Sequence, residues 1–216
     1  MKMMFQPFKQ CEIGLYPVVN SSRWLEMLLP VGVKCIQLRI KNKPRAELEA
    51  EISASVFLAK KYGATLFIND YWALAIQLGA DGVHLGQEDL DTADIGKIHR
   101  AGLYLGVSTH CEDEVATAQA LQPSYLACGP IFPTTSKIMK FAPQGIEQLQ
   151  HWQRMLDYPL VAIGGITLEK LPEVLKTGVE GIALISGITQ SPDPIHTTHQ
   201  FLKQIQEARD AGTHAR

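Results

Sequence analysis

Eight short apolar runs, each followed by a stretch with helical spacing, constrain this chain more than any other feature. They are Leu15 to Val19, Cys35 to Leu38, Thr65 to Ile68, Gly82 to Leu85, Tyr104 to Val107, Tyr125 to Cys128, Leu160 to Ile163 and Gly181 to Ile185. Most are apolar nearly throughout rather than alternating, which is what parallel strands covered on both faces require. Between them, Leu48, Ile52, Val56 and Ala59, or Leu168, Leu171 and Leu175, are spaced to turn one apolar stripe inward. Thr167 is placed to cap the second of these helices and Gly178 to end it, while Thr109 with Glu112 has the spacing of a capping box. No linker, low-complexity run or composition break divides the 216 residues. The expectation is a single-domain α/β fold, a (β/α)8 (TIM) barrel over residues 13–210 with an N-terminal extension over 1–12. An open doubly wound sheet is the competing arrangement.

Composition narrows the function classes. With 46% hydrophobic residues, 19% charged residues and a net charge of -2, the chain offers no nucleic-acid surface and no membrane patch, so basic groups that matter must be local. Cys11, Cys35, Cys111 and Cys128 are irregularly spaced without a CxxC pair and read as buried thiols in a reducing compartment. MKMMFQPFKQ lacks the apolar run of roughly seven residues that a signal peptide needs, and no stretch approaches the roughly 18 that would span a bilayer. A cytoplasmic protein is expected, with a homo-oligomer left open.

In such a barrel the site lies where the strands end and the βα loops gather. After the second run, a period of two puts Gln37, Arg39 and Lys41 on one face, opposite Leu38 and Ile40. Two cations at the rim are costly unless an anion meets them, although Arg39 could instead pair with an internal carboxylate while Lys41 is simply solvated. After the third and fourth runs come Asn69 and Asp70, then Gly86, Gln87, Glu88 and Asp89. Two carboxylates on adjacent strand ends, without His or Cys beside them, suit magnesium; an N-cap role for Asp70 and a turn role for Asp89 stay open. His84 reads as a core hydrogen-bonding residue, and Ser108 and Thr109 as helix caps.

After the sixth run the chain reads GPIFPTTSK, Gly129 to Lys137. Pro130 and Pro133 end the strand in an ordered loop, and Thr134, Thr135, Ser136 and Lys137 make a dense set of donors suited to a phosphate. A solvated polar loop is the alternative. After the seventh run, Gly164 and Gly165 could bring backbone amides close to an anion at a helix start, and after the eighth Ile185, Ser186 and Gly187 lie in the neighbouring loop. Two anion sites follow from these residues. One gathers Arg39, Lys41, Asp70, Asp89 and the Thr134 to Lys137 loop around a magnesium-bound polyphosphate; the other gathers Gly165 and Ser186 around a single phosphate.

QLRIK, FINDYWALA, DGVHLGQEDL, LGVSTH, GPIFPTTSK, VAIGGI and IALISGI, in that order from Gln37 to Ile188, resemble the thiamine-phosphate synthase family. The resemblance implies a barrel transferase that joins 4-amino-2-methyl-5-hydroxymethylpyrimidine diphosphate to 4-methyl-5-(2-hydroxyethyl)thiazole phosphate, with Mg2+, and releases diphosphate. It implies metal binding by Asp70 and Asp89, and pyrimidine diphosphate binding by Gln37, Arg39, Lys41, Asn69, Ser108 and Lys137. Arg39, Lys41, Ser108 and Lys137 would be the catalytic set. Thr134, Ser136, Gly165, Ile185 and Ser186 would lie at the thiazole phosphate, so the GPIFPTTSK loop is divided between both ligands. Ser136 stands where the family usually has a second threonine, and Ile40 where an acidic residue is frequent. A thiazole tautomerase of the same fold and a non-catalytic phosphate-sensing barrel are the rival functions.

Overall fold

Phe67, Tyr125 and Tyr16 are among the largest fully buried side chains of the protein, and the strands carrying them must close around them. The computed structural model describes residues 4–8, 13–134 and 141–213. Within these, the strands β1 (Gly14–Val19), β2 (Cys35–Leu38), β3 (Thr65–Asn69), β4 (Gly82–Leu85), β5 (Tyr104–Thr109), β6 (Tyr125–Cys128), β7 (Leu160–Ile163) and β8 (Gly181–Leu184) follow the eight apolar runs. Each pairs in parallel with its sequence neighbour, and β8 returns to β1 through Gly14↔Gly181 to Pro17↔Leu184. The sheet is a closed barrel, not an open doubly wound one.

Two cores separate along the period-two alternation. Leu38, Ile68, Val83, Leu85, Leu105, Val107, Leu126 and Leu184 point outward and pack with the helices. Tyr16, Val18, Cys35, Phe67, Tyr125, Ala127, Val161 and Ala183 point inward. Glycine makes room for the inward aromatics: a Cβ on Gly106 would stand 2.2 Å from the Tyr125 ring, and one on Gly82 would stand 2.4 Å from Phe67. Large residues on some strands therefore require no side chain on the strands beside them.

The barrel floor is closed by the start of the chain. Phe8 is buried edge-on against Phe67 and Tyr104, at 5.5 and 4.9 Å between centroids. Its amide donates to Ser124 O (3.1 Å) and that of Phe5 to Gln122 O (3.0 Å), so residues 4–8 run beside the chain entering β6.

Outside lie α1 (Ser22–Leu28), α2 (Arg45–Tyr62), α3 (Trp72–Leu78), α4 (Gln87–Leu90), α5 (Ile95–Arg100), α6 (Glu112–Ala120), α7 (Gly145–Met155), α8 (Leu171–Leu175), α9 (Ser186–Thr189) and α10 (Pro194–Thr213). Leu48, Ile52, Val56 and Ala59 form the buried stripe of α2, which Gly63 ends in the left-handed conformation. Two expected caps are absent. Thr109 is fully buried and bonds Ala127 O, leaving Cys111 as the N-cap of α6. Thr167 contributes its carbonyl to a turn, and α8 begins only at Leu171. Both hydroxyls lie too early: Thr109 is still the last residue of β5, and Thr167 opens a turn that precedes the helix. Cys35 and Cys128 are buried thiols, the latter pushed up to about 12 by burial, while Cys111 is only partly buried. Cys11 lies outside the described residues. No described helix is long and apolar enough to cross a membrane.

Candidate active site

The mouth at the C-terminal strand ends is built first from β2 to β5. Beyond Leu38 the chain keeps to β1 through Arg39 N to Val19 O (2.7 Å). This preserves the alternation that buries Leu38 and Ile40 outward and Gln37 inward. Lys41 forms an ion pair with Asp70, whose carboxylate is largely shielded from solvent. Among the described residues Arg39 has no such partner.

Asp70 is not an N-cap. Its φ is +63°, a region costly for a residue with a Cβ, and its amide bonds His84 O on the next strand (3.0 Å). This turn directs the carboxylate across the mouth rather than along α3. Asp89, the third residue of α4, accepts from Gly86 N at 3.2 Å, so it does cap its own turn. Its second neighbour is Asp70. The Asp89 carboxyl is raised above its ordinary value by burial first, then by the Asp70 charge and a hydrogen bond with Asp70, against smaller lowering by Gly86 N and Lys41. Two carboxylates facing each other with one ammonium between them are short of positive charge. Hard oxygen donors in this pairing fit magnesium, which is commonly held by one or two carboxylates with phosphate and water completing the shell. No group of three or more His, Cys, Asp or Glu side chains suited to a metal occurs among the described residues.

Deeper in the barrel lies a polar chain. Gln37 Nε2 meets Tyr16 Oη (3.2 Å), which meets Tyr125 Oη (2.8 Å). Tyr125 Oη meets His84 Nδ1 (2.7 Å), and His84 Nε2 meets Ser108 Oγ (2.7 Å). Gln87 Nε2 donates to Ser108 O at 2.7 Å and fixes the same residue from outside. His84 is thus the core hydrogen-bonding residue expected, but its partner Ser108 is a candidate site residue rather than a helix cap. Sequence reading passed over Tyr16, Tyr125 and Gln87. The available signal was two tyrosines on inward strand positions, since a buried phenol needs a partner for its hydroxyl. Asn69, nearly fully buried, completes this side of the mouth.

The second half comes from the loops after β6, β7 and β8. Ile131 N bonds Ile163 O (2.9 Å) and Phe132 N bonds Gly164 O (3.0 Å), so the GPIFP segment is laced to the end of β7. A Cβ on Gly165, where φ is +66°, would stand 2.5 Å from Pro133 O; one on Gly164 would stand 2.6 Å from Pro130. The Gly-Gly turn therefore admits the neighbouring loop, a requirement that spacing alone did not suggest. Gly187 similarly lies against Ile166 O, and Ile185 packs on the interior cluster just ahead of Ser186. Thr134 is the last described residue of its segment. Thr135, Ser136 and Lys137 lie outside the described residues.

Comparison with known proteins agrees with this fold and shows the family. Residues 15–188 match the family described as thiamine monophosphate synthase. The chain is similar to thiamine-phosphate synthases of Enterobacter sp. (strain 638), 55% identical over 91% of this chain and 92% of that protein, and of Cronobacter sakazakii, 54% identical over 94% and 97%. Among solved structures it is similar to a thiamine phosphate pyrophosphorylase from Pyrococcus furiosus, with a TM-score of 0.81 and 31% identity over 92% of this chain and 98% of that one.

Proposed function

From the premise that this chain belongs to the thiamine monophosphate synthase family, and is a transferase that makes thiamine phosphate in thiamine biosynthesis, we propose the following division of its site. The substrates are 4-amino-2-methyl-5-hydroxymethylpyrimidine diphosphate and 4-methyl-5-(2-hydroxyethyl)thiazole phosphate. Asp70 and Asp89 hold a magnesium ion. Gln37, Asn69 and Ser108 seat the pyrimidine diphosphate, and Arg39, Lys41 and Lys137 face its diphosphate. Thr134, Ser136, Gly165, Ile185 and Ser186 anchor the thiazole phosphate. The observation that carries this reading is the facing Asp70 and Asp89 pair, with Lys41 bonded to Asp70 and Arg39 unpaired among the described residues.

The chemistry is a dissociative substitution. Arg39, Lys41 and Lys137 stabilise negative charge gathering on the departing diphosphate, so its bond to the pyrimidine methylene breaks early. Magnesium, when bound, supplies further charge neutralisation on those oxygens. The electron-rich aminopyrimidine spreads the resulting positive charge. The thiazole nitrogen, positioned by its anchored phosphate, captures the methylene. No covalent intermediate on the protein is required. The same reading puts the protein in the cytoplasm, beside soluble substrates.

The test is one assay with both substrates and magnesium, reading thiamine phosphate and diphosphate together. Both products appearing in equal amounts supports the proposal. Isomerised thiazole phosphate without diphosphate would indicate a tautomerase, and binding without turnover a phosphate sensor.

A further inference from the structure

The buried chain Gln37, Tyr16, Tyr125, His84, Ser108 has a direction, and proton accounting gives it. The carboxamide of Gln37 turns Nε2 toward Tyr16, and that group can only donate. Tyr16 Oη is buried and has one other partner, Tyr125 Oη, so its proton goes there. Tyr125 Oη accepts it and has one remaining neighbour, His84 Nδ1, so Tyr125 donates to the ring. An Nδ1 that accepts leaves a neutral imidazole with its proton on Nε2, which donates to Ser108 Oγ. The protons of Tyr16, Tyr125 and His84 Nε2 are then each directed along the chain, and that of the half-buried Ser108 is left to point outward. Burial keeps both phenols protonated, raising Tyr16 and Tyr125 well above the ordinary value. An unmade bond on any of these atoms would cost roughly 1–3 kcal/mol, so the order is enforced by the dry interior.

We propose that this wire fixes His84 as the Nε2–H tautomer and leaves the Ser108 hydroxyl proton free to donate toward the mouth, favouring a substrate that presents an acceptor lone pair at that point. On the reading above, the acceptor belongs to the pyrimidine diphosphate, either a ring nitrogen or a phosphate oxygen. His84, Tyr125 and Tyr16 are positioning residues, and Ser108 alone among the four touches the ligand. Aligned hydrogen bonds polarise one another, so the Ser108 donor is stronger than an isolated hydroxyl.

The order is tested in the free protein by histidine nitrogen NMR, with the His84 signals assigned from the spectrum of His84→Gln. The expected result is a neutral ring protonated on Nε2. A ring protonated on Nδ1, or a charged ring at neutral pH, overturns the inference while leaving the proposed activity standing; absence of both products in the assay fails the activity and not the tautomer. Kinetics supply the second measurement. Ser108→Ala should raise KM for the pyrimidine diphosphate about 10-fold, and Tyr125→Phe, which removes one buried hydroxyl, about 3-fold, with KM for the thiazole phosphate unchanged in both. Because Tyr125 acts through Ser108, the double variant should bind no worse than Ser108→Ala alone. Additive losses would mean that Tyr125 acts through packing, and would overturn the wire.

Discussion

At the scale of single residues the site trades stability for chemistry. Asp89 sits partly buried beside a second carboxylate, and its carboxyl is held above the ordinary value by burial and then by Asp70. The folded protein therefore binds this proton more readily than the unfolded chain does. In the metal-free protein, stability should rise as pH falls through the raised value toward the ordinary carboxylate value of 3.8, and the ionised pair is destabilising above it. Asp89→Asn should remove that cost. We expect its metal-free melting temperature near neutral pH to rise by about 1–3 °C and to lose the gain on acidification, while turnover falls about 100-fold. Melting curves with and without magnesium, alongside steady-state rates, check both halves. A variant that melts lower than wild type and turns over normally would contradict the paired-carboxylate site. Asp70 carries a related cost in its backbone, since a φ of +63° is disfavoured for aspartate; the turn it makes is what sends the carboxylate to Lys41.

At the scale of elements, loops pack on loops, and glycine decides how closely. Gly165→Ala would drive a Cβ toward Pro133 O and strain a left-handed backbone at once. The expected cost is about 1–3 kcal/mol of stability, with KM for the thiazole phosphate rising more than KM for the pyrimidine diphosphate. Thermal melts and the two KM values check this; equal effects on both substrates would mean that the loops move as one body. The division of the GPIFPTTSK loop makes a separate prediction. Lys137→Ala should impair use of the pyrimidine diphosphate, whereas Ser136→Ala should chiefly raise KM for the thiazole phosphate. Matching defects in the two variants would refute that division. Much of this level was legible in advance. Buried parallel strands announce themselves as unbroken apolar runs, which is why β2, β4, β6 and β7 match the readings from sequence end to end. Alternation alone sent Gln37 inward and Leu38 outward. The caps at Thr109 and Thr167 were misread because a hydroxyl at the right spacing serves equally well in a strand or a turn. The partners of Tyr16, Tyr125 and His84 were invisible because they lie 21 to 109 residues apart in the chain and meet only when the sheet closes.

At the scale of the whole molecule, the barrel divides into an aromatic lower half and a polar upper half. Phe67, Tyr104 and Phe8 fill the floor, and Gln37, Asn69, His84 and Ser108 rise toward the mouth. Phe8 is therefore a plug delivered by sequence outside the eight repeating units. Phe8→Ala should cost about 3–5 kcal/mol, the range for removing a buried phenyl ring. For a chain of this size that lowers the melting temperature by roughly 10 °C or more. Turnover measured well below that temperature should change little, because the plug and the mouth lie at opposite strand ends. A normal melting temperature with a changed KM would reverse that assignment. The same arrangement governs attachment. Residues 4–8 run along the floor, where His99 holds Met4 O at 3.0 Å, and near the end of α10 Arg209 reaches Glu180 O just before β8 begins. Both contacts lie at the end of the barrel opposite the mouth. Anchored to a bead or an electrode through a tag ahead of Met4, the molecule would stand with its mouth toward the bulk, open to substrate from every side.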